Sequence, residues 1–190
     1  MSKPPVGILL AAGQSKRFGS NKLLHSVYDG IPMLIASAQT LVRALPDSIV
    51  VINQSMATCT TQLEALGLKV VLNENSESGI GSSISCGIRA SDNASGWLVF
   101  LADMPYIKSE TISLLVKKMG DGEKIVAPVF NKQRGHPVGF SRCYLNELIA
   151  LNEDIGARNI INKYQDNIEL VSVNDEGVVK DIDYANEIVI

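Results

Sequence analysis

Aromatic residues are scarce in this chain of 190 residues, at 5%, and tryptophan occurs once. Cysteine is no more abundant. Cys59, Cys86 and Cys143 are odd in number, far apart and without a CxxC pair, which excludes a disulfide framework or a thiolate zinc site and predicts reduced thiols buried as small apolar residues. Neither charge sign dominates: 17 Lys and Arg stand against 20 Asp and Glu, a formal net charge of -3, with both signs scattered. Bulk charge therefore gives no footprint for nucleic acid. No apolar run reaches the length of a membrane span, and the N-terminal MSKPPVGILLAAG, with its single lysine and short apolar stretch, is no convincing signal peptide. The expectation is a soluble cytoplasmic protein, in which the N-x-S sequons at Asn53 and Asn93 are coincidental. There is no internal repeat and no linker-like stretch, so residues 1–190 read as one domain. Such a chain buries roughly 70% of its unfolded surface and needs no staple.

What is present is an alternation. Residues 6–11, 48–53, 68–73, 97–102 and 124–129 are near-continuous apolar runs of strand length. Between them, residues 32–44, 56–66, 81–90 and 109–119 repeat apolar positions at helical spacing; Ile84, Ile88 and Ala90 mark the buried side of the third, and Pro32 opens the first near N1. This is the pattern of an α/β fold built on a parallel sheet. Beyond residue 129 the order changes to a loop, a short strand at 138–140, helices near 142–150 and 156–164, and strands near 168–173 and 178–182. Residues 1–129 thus form one half, and 130–190 complete the sheet and close one side of the site.

The most informative stretch is LLAAGQSKRFGSNKLL, residues 9–24. Gly13 and Gly19 follow the first strand directly, among Ser15, Lys16, Arg17, Ser20 and Lys22. In open α/β sheets ligands bind beyond the carboxyl ends of the strands, where a glycine-rich loop lets backbone N–H groups approach phosphate oxygens. An ordinary surface turn needs one or two glycines, whereas this loop exceeds the usual βα connection of about 2–6 residues and carries cations without an acid. An anionic ligand explains both features. The loop is not a Walker A motif, because Lys22 does not follow a glycine. SGIGSSISCGI, residues 78–88, is not GxGxxG either, since Ile84 takes the third glycine's place, which counts against a Rossmann dehydrogenase.

LAAGQSKRFGSNKLL resembles the signature loop of the MobA-like nucleotidyltransferases, and within them of the molybdenum cofactor cytidylyltransferases. ESGIGSSISCGI resembles the family's Gly-Met-Gly-Ser-Ser-Leu segment with Ile80 in place of Met, LADMPYI its Asp-Met-Pro motif, and RGHPVGF and DIGARNII two later blocks. The resemblance spans nearly the whole chain. It implies a Rossmann-like three-layer α/β/α fold with a mostly parallel sheet, and transfer of CMP from CTP to the terminal phosphate of molybdopterin with Mg²⁺ and release of pyrophosphate. It implies a nucleotide site made by Leu10, Ala11, Ala12, Gly13, Ser15, Arg17, Phe18, Gly19 and Lys22 with Gly79, Gly81, Ser82 and Ser83. Helix capping explains Ser82 equally well, but a cap needs no second glycine two residues upstream.

Asp103 ends an apolar strand at the same sheet edge as the glycine loop, where a carboxylate suits Mg²⁺ bound together with substrate phosphates. Arg17, Lys22 and Asp103 are the candidate catalytic residues. Asp181 and Asp183 lie two apart in VKDIDYANEI, so an extended segment would turn both to one side. By resemblance Asp181 leads as the second metal ligand and Asp183 is a helix N-cap, although Tyr184 and Ala185 replace the family's Thr-Pro and leave the two roles exchangeable. Arg134, His136 and Arg158 are candidates for the acceptor side, Arg158 because a cation near a helix start is unfavourable unless it meets an anion. His25 is assigned no role. The resemblance further implies a monomer serving a molybdoenzyme recipient, without nucleic acid or membrane. A guanylyltransferase, whose loop carries glycine where this chain has Ala12, is the main rival. A sugar-1-phosphate nucleotidyltransferase, a nicotinamide-dependent oxidoreductase and a non-catalytic nucleotide-binding module are the others.

Overall fold

A computed structural model describes residues 4–13, 21–120, 122 and 124–182. The chain opens with strand β1 (Val6–Ala11), a 3-10 turn at Lys22–Leu24 and a small hairpin of β2 (Ser26–Tyr28) and β3 (Ile31–Pro32). Helix α1 (Met33–Ala44), β4 (Ser48–Ile52), α2 (Thr60–Ala65), β5 (Lys69–Leu72), α3 (Ile80–Arg89), β6 (Gly96–Leu101) and α4 (Ser109–Met119) follow. The later part holds β7 (Ile125–Phe130), β8 (Gln133–Arg134), β9 (Val138–Ser141), α5 (Leu145–Ile149), α6 (Arg158–Lys163) and β10 (Ile168–Ser172).

The main sheet runs β10-β7-β9-β6-β1-β4-β5, with β8 paired to β7. β1 pairs in parallel with both β4 and β6, Ile8 standing opposite Ile49 and Val99. The β4–β5 and β7–β10 pairs are parallel as well, while β9 runs antiparallel between β6 and β7. Alternate residues of β1 enter two separate cores. Leu9 and Ala11 pack with Met33, Leu34 and Leu41 of α1 and Ile112 and Leu115 of α4, whereas Ile8 and Leu10 pack with Ile84 and Ile88 of α3 and Leu148 of α5. Helices on both faces make the three layers, and each fully buried Leu or Ile contributes about 1.5–3 kcal/mol. The single tryptophan, Trp97, is buried on β6 and donates its indole N–H to Ser91 Oγ at 3.1 Å.

Several local expectations are corrected. Pro32 is the N-cap of α1 rather than its first helical residue. The stretch 56–66 divides into a 3-10 helix at Gln54–Cys59, capped by the Asn53 side chain, and the short α2. Residues 142–150 likewise begin as a 3-10 turn, Arg142–Tyr144, before α5, and α6 starts only at Arg158. Residues 178–182 form no strand: a 3-10 turn covers Glu176–Val179, because Asp175 Oδ1 accepts from Gly177 N–H and redirects the backbone. Ala90 is only half-buried. None of the three free cysteines is fully buried, Cys59 and Cys86 being half-buried and Cys143 exposed. Among the described residues no helix is long and apolar enough to cross a membrane.

Candidate active site at the carboxyl edge of the sheet

The parallel run β6-β1-β4-β5 brings four strand ends to one edge, and the residues just past them are Asp103, Ala12, Asn53 and Asn73. The chain winds from β1 toward β5 and then returns to the other side of β1, so strand order reverses at β1. Ligands in such sheets bind at that reversal. Backbone bonds tie the edge together: Ala102 N–H donates to Leu10 O at 3.1 Å and Asn73 N–H to Ile52 O at 2.8 Å. Leu10, Ala11 and Ala12 are buried, with Gly13 exposed beyond them; Ser15, Arg17, Phe18 and Gly19 lie outside the described residues.

Lys22 and Asp103 meet at this edge. Lys22 Nζ lies 2.8 Å from Asp103 Oδ2, with the two side chains 14% and 23% exposed, and it also donates to Ile182 O at 3.0 Å. Ile182 N–H in turn donates to Asp103 O at 3.0 Å, which pins the end of the described chain against β6. An ammonium group held between a carboxylate and a carbonyl marks a place that favours positive charge. Hard oxygen donors of this kind suit Mg²⁺, which keeps much of its shell for water or phosphate. Among the described residues there is no group of three or more His, Cys, Asp or Glu that could hold a metal. Asp181 is exposed next to Ile182, and Asp183 lies outside the described residues.

Arg134 and His136 stand on the adjoining wall. His136 N–H donates to Val178 O at 2.8 Å and Gly135 N–H to Pro128 O at 2.9 Å, so the RGHP segment is clamped between β7 and the 3-10 turn. A Cβ on Gly135 would lie 2.0 Å from Val178 O, which explains the glycine by close approach. His136 Nδ1 is buried and finds no hydrogen-bond partner among the described residues. Burial pushes the imidazole pKa below its ordinary 6.5, Arg134 adds to this, and the carboxylates of Asp103 and Asp181 oppose it. These couplings place Arg134, His136, Asp103 and Asp181 in one neighbourhood. Because the folded imidazole resists protonation, the unfolded chain takes up that proton first; the stabilisation is complete above 6.5 and is lost as pH falls below it. The urea midpoint of the wild type is therefore expected to fall between about pH 7 and pH 5 more steeply than that of His136→Asn. Parallel slopes would contradict it.

The SGIGSS segment closes the other side. Asn73, a buried residue that the sequence reading treated only as a strand end, donates to Ser82 Oγ and Ser83 Oγ, both at 3.0 Å, and accepts from Asn75 N–H. Asn53 likewise donates to Ala12 O at 2.9 Å, fixing the start of the glycine-rich loop. Its amide is consumed there, so the Asn53 sequon is not available for a glycan. An Asn directly after each of two apolar runs was the available signal for both residues. Ser82 Oγ also donates toward Gly79 O, 2.8 Å away, and thus serves the first turn of α3. Gly79, at φ +103°, and Gly81 both face the 152–154 loop, where a Cβ would come within 2.5 Å of Asp154 Cα and Glu153 O respectively. Close packing accounts for the glycine pair. Arg158 opens α6 just past this loop; it is exposed, and no hydrogen bond or ion pair joins it to the Lys22–Asp103 cluster among the described residues. A groove of about 580 Å³ runs along the outer face of α3 past Asn73, Asn75, Ser82 and Asn152. Asn73→Ala is expected to raise the nucleotide KM roughly tenfold, about the worth of one hydrogen bond, with kcat little changed. An unchanged KM would remove Asn73 from the site.

Comparison with known proteins supplies the family and the fold. The family model described as "MobA-like NTP transferase domain" matches residues 7–168. The chain belongs to that family. Among MobA-like relatives, the nicotine blue oxidoreductase of Paenarthrobacter nicotinovorans is 26% identical over 93% of this chain and 91% of its own. The purine catabolism protein PucB of Bacillus subtilis is 27% identical over 96% and 93%. A probable molybdenum cofactor guanylyltransferase of Thermococcus sibiricus is 27% identical over 64% of this chain and 59% of its own. The crystal structure of Rv0371c from Mycobacterium tuberculosis superposes with a TM-score of 0.82 at 25% identity, covering 98% and 96% of the two chains. A second structure of that protein, in complex with manganese, has a TM-score of 0.77 at 23% identity over 97% and 96%. The three-layer, mostly parallel sheet expected from the sequence is therefore the fold of this MobA-like chain.

Proposed function

We propose that the protein transfers CMP from CTP to the terminal phosphate of molybdopterin. An acceptor phosphate oxygen forms a bond to the α-phosphorus of CTP, the bond from that phosphorus to the bridging oxygen breaks, and pyrophosphate leaves with the electron pair. The observation that carries the reading is Lys22 paired with Asp103 at the strand-order reversal. A cation and a metal-binding carboxylate are what triphosphate chemistry asks of an edge that follows a glycine-rich loop, since positioning and charge neutralisation supply most of the rate. Mg²⁺ held by Asp103, with Asp181 or Asp183 as a second carboxylate, would neutralise charge on the transferred group. That a mycobacterial structural neighbour was solved in complex with manganese is in keeping with use of a divalent ion.

The roles of the chain's own residues follow. Backbone groups of residues 12–19 receive the triphosphate, Arg17 and Lys22 balance its charge, and Leu10, Ala11, Gly79, Gly81, Ser82 and Ser83 border the nucleoside. Arg134 and His136 border the acceptor, with Arg158 as the third residue proposed for that side. The guanylyltransferase named among the relatives supports molybdopterin as acceptor. Ala12, standing where a guanylyltransferase loop carries glycine, supports the smaller cytosine as the base. A second reading, oxidoreduction, for which a nicotinamide cofactor would be the reductant, draws on the relative named nicotine blue oxidoreductase that matches over 93% of the chain.

Pyrophosphate release with molybdenum-loaded molybdopterin and Mg²⁺, compared across CTP, GTP, ATP and UTP with NADH consumption followed in parallel, separates these readings. Release with CTP alone is the expected result. Release with GTP would keep the chemistry and overturn the reading of Ala12. NADH turnover without pyrophosphate would replace the transferase by the oxidoreductase.

A further inference from the structure

The pairing of Lys22 with Asp103 has a second side, because it places the site's own cation where a metal ion would sit. Lys22 Nζ is 2.8 Å from Asp103 Oδ2 and 3.0 Å from Ile182 O, and Ile182 N–H holds Asp103 O at 3.0 Å. A side-chain oxygen of Asp103 and the backbone oxygen of Ile182 thus cradle the ammonium. Lys22 is itself anchored: its 3-10 turn is capped by Asn21, whose Oδ1 accepts from Leu23 N–H at 3.3 Å and whose amide reaches Met56 Sδ at 2.6 Å. The lysine backbone is fixed, and only its side chain is left to swing.

From this we infer that Lys22 is an internal surrogate for the divalent ion, and that its displacement couples metal binding to nucleotide binding. The inference rests on the reading of Asp103 as the cation-binding carboxylate. An ammonium and a divalent cation cannot share Asp103 Oδ2 at contact distance, since like charges so close repel strongly in a partly buried site. Metal binding alone costs Lys22 its bonds to Asp103 Oδ2 and Ile182 O. A triphosphate offers Lys22 a new set of anionic oxygens within the swing of its side chain, so that cost disappears when nucleotide is present. Each ligand then tightens the other by the same factor, as linkage requires. The cradle outlasts the departure of Lys22, because the bond from Ile182 N–H to Asp103 O does not involve it. Without nucleotide, the protein holds its charge internally and binds metal weakly.

The test needs no turnover. Mn²⁺ binding to the nucleotide-free protein is read by electron paramagnetic resonance for the wild type, Lys22→Met and Asp103→Asn. Lys22→Met is expected to bind Mn²⁺ about tenfold more tightly than the wild type, within the usual range of coupling between sites, and Asp103→Asn more weakly. Equal affinity of Lys22→Met and wild type, with Asp103→Asn weakened, would overturn the surrogate and leave the metal-binding carboxylate standing. Wild-type affinity in Asp103→Asn would overturn both. An independent measurement uses the unmodified chain: acetylation of the Lys22 amine, followed by peptide mass spectrometry, is expected to speed up several-fold when Mn²⁺ is added. An unchanged rate at saturating Mn²⁺ would overturn the inference even if Lys22→Met failed to fold.

Discussion

Asp103→Ala and Lys22→Ala are each expected to lower kcat/KM for pyrophosphate release by about 10²–10³, the effect of removing one preorganised charge stabiliser. The two losses differ in origin. Asp103→Ala takes away an anchor for the divalent ion, so raising the Mg²⁺ concentration should recover part of its activity. Lys22→Ala removes positive charge from the triphosphate, and added metal should recover little. Because the two side chains touch at 2.8 Å, the double variant should lose less than the product of the single losses. Near-wild-type turnover in both single variants would remove the proposed chemistry from this edge of the sheet.

Asp175→Ala should be the most damaging change to stability, by about 3–5 kcal/mol, since hydrogen bonds to a charged group are worth about 1.5–3 kcal/mol and the abandoned donors stay buried. Asp175 is 2% exposed. Its Oδ2 accepts from Lys108 N–H at 2.9 Å and Thr111 Oγ1 at 2.7 Å, and its Oδ1 from Gly177 N–H at 3.1 Å. One carboxylate therefore caps the start of α4, where the helix dipole favours negative charge, and shapes the 3-10 turn that receives His136 N–H. Asp175→Asn keeps part of this and should fall between alanine and wild type. Urea denaturation measures all three, and a loss below about 1 kcal/mol for alanine would mean that water replaces the carboxylate.

The sequence and the structure part company in an orderly way. Strands β1, β4, β6 and β7 were legible because burial on both faces leaves an uninterrupted apolar run, and the exposed edge strand β5 from its Val-Val-Leu stretch. The direction of β9 was not, because its residues read the same whichever way the chain crosses the sheet. Val178 and Val179 looked like a strand for a related reason: both are partly or fully buried, but their environment is a turn set by Asp175, which lies outside the apolar pattern. In the site, the glycine-rich loop and Asp103 stood out because position after a strand carries the argument. The bond from Lys22 to Asp103, the grip of Asn73 on Ser82 and Ser83, and the packing of Gly79 and Gly81 against the 152–154 loop depend on partners distant in sequence, and no local spacing encodes them.

The antiparallel β9 sits between β6, which leads to Asp103, and β7, which leads to the wall carrying His136. Trp97 of β6 pairs with Phe140 of β9, and Phe140 pairs in turn with Ile125 of β7. The residues up to 130 and those after it therefore share a seam in the middle of the sheet. Exchange of the later part of the chain between relatives would have to carry that seam intact, because a crossover placed just after residue 130 would divide β9 from both of its neighbours. Variation in such a chain is easiest at exposed positions of the sheet's edge, such as Gly13 past β1 or the side chain of Arg134 on the short β8, and costly at Ala12, which is buried in the core beneath them.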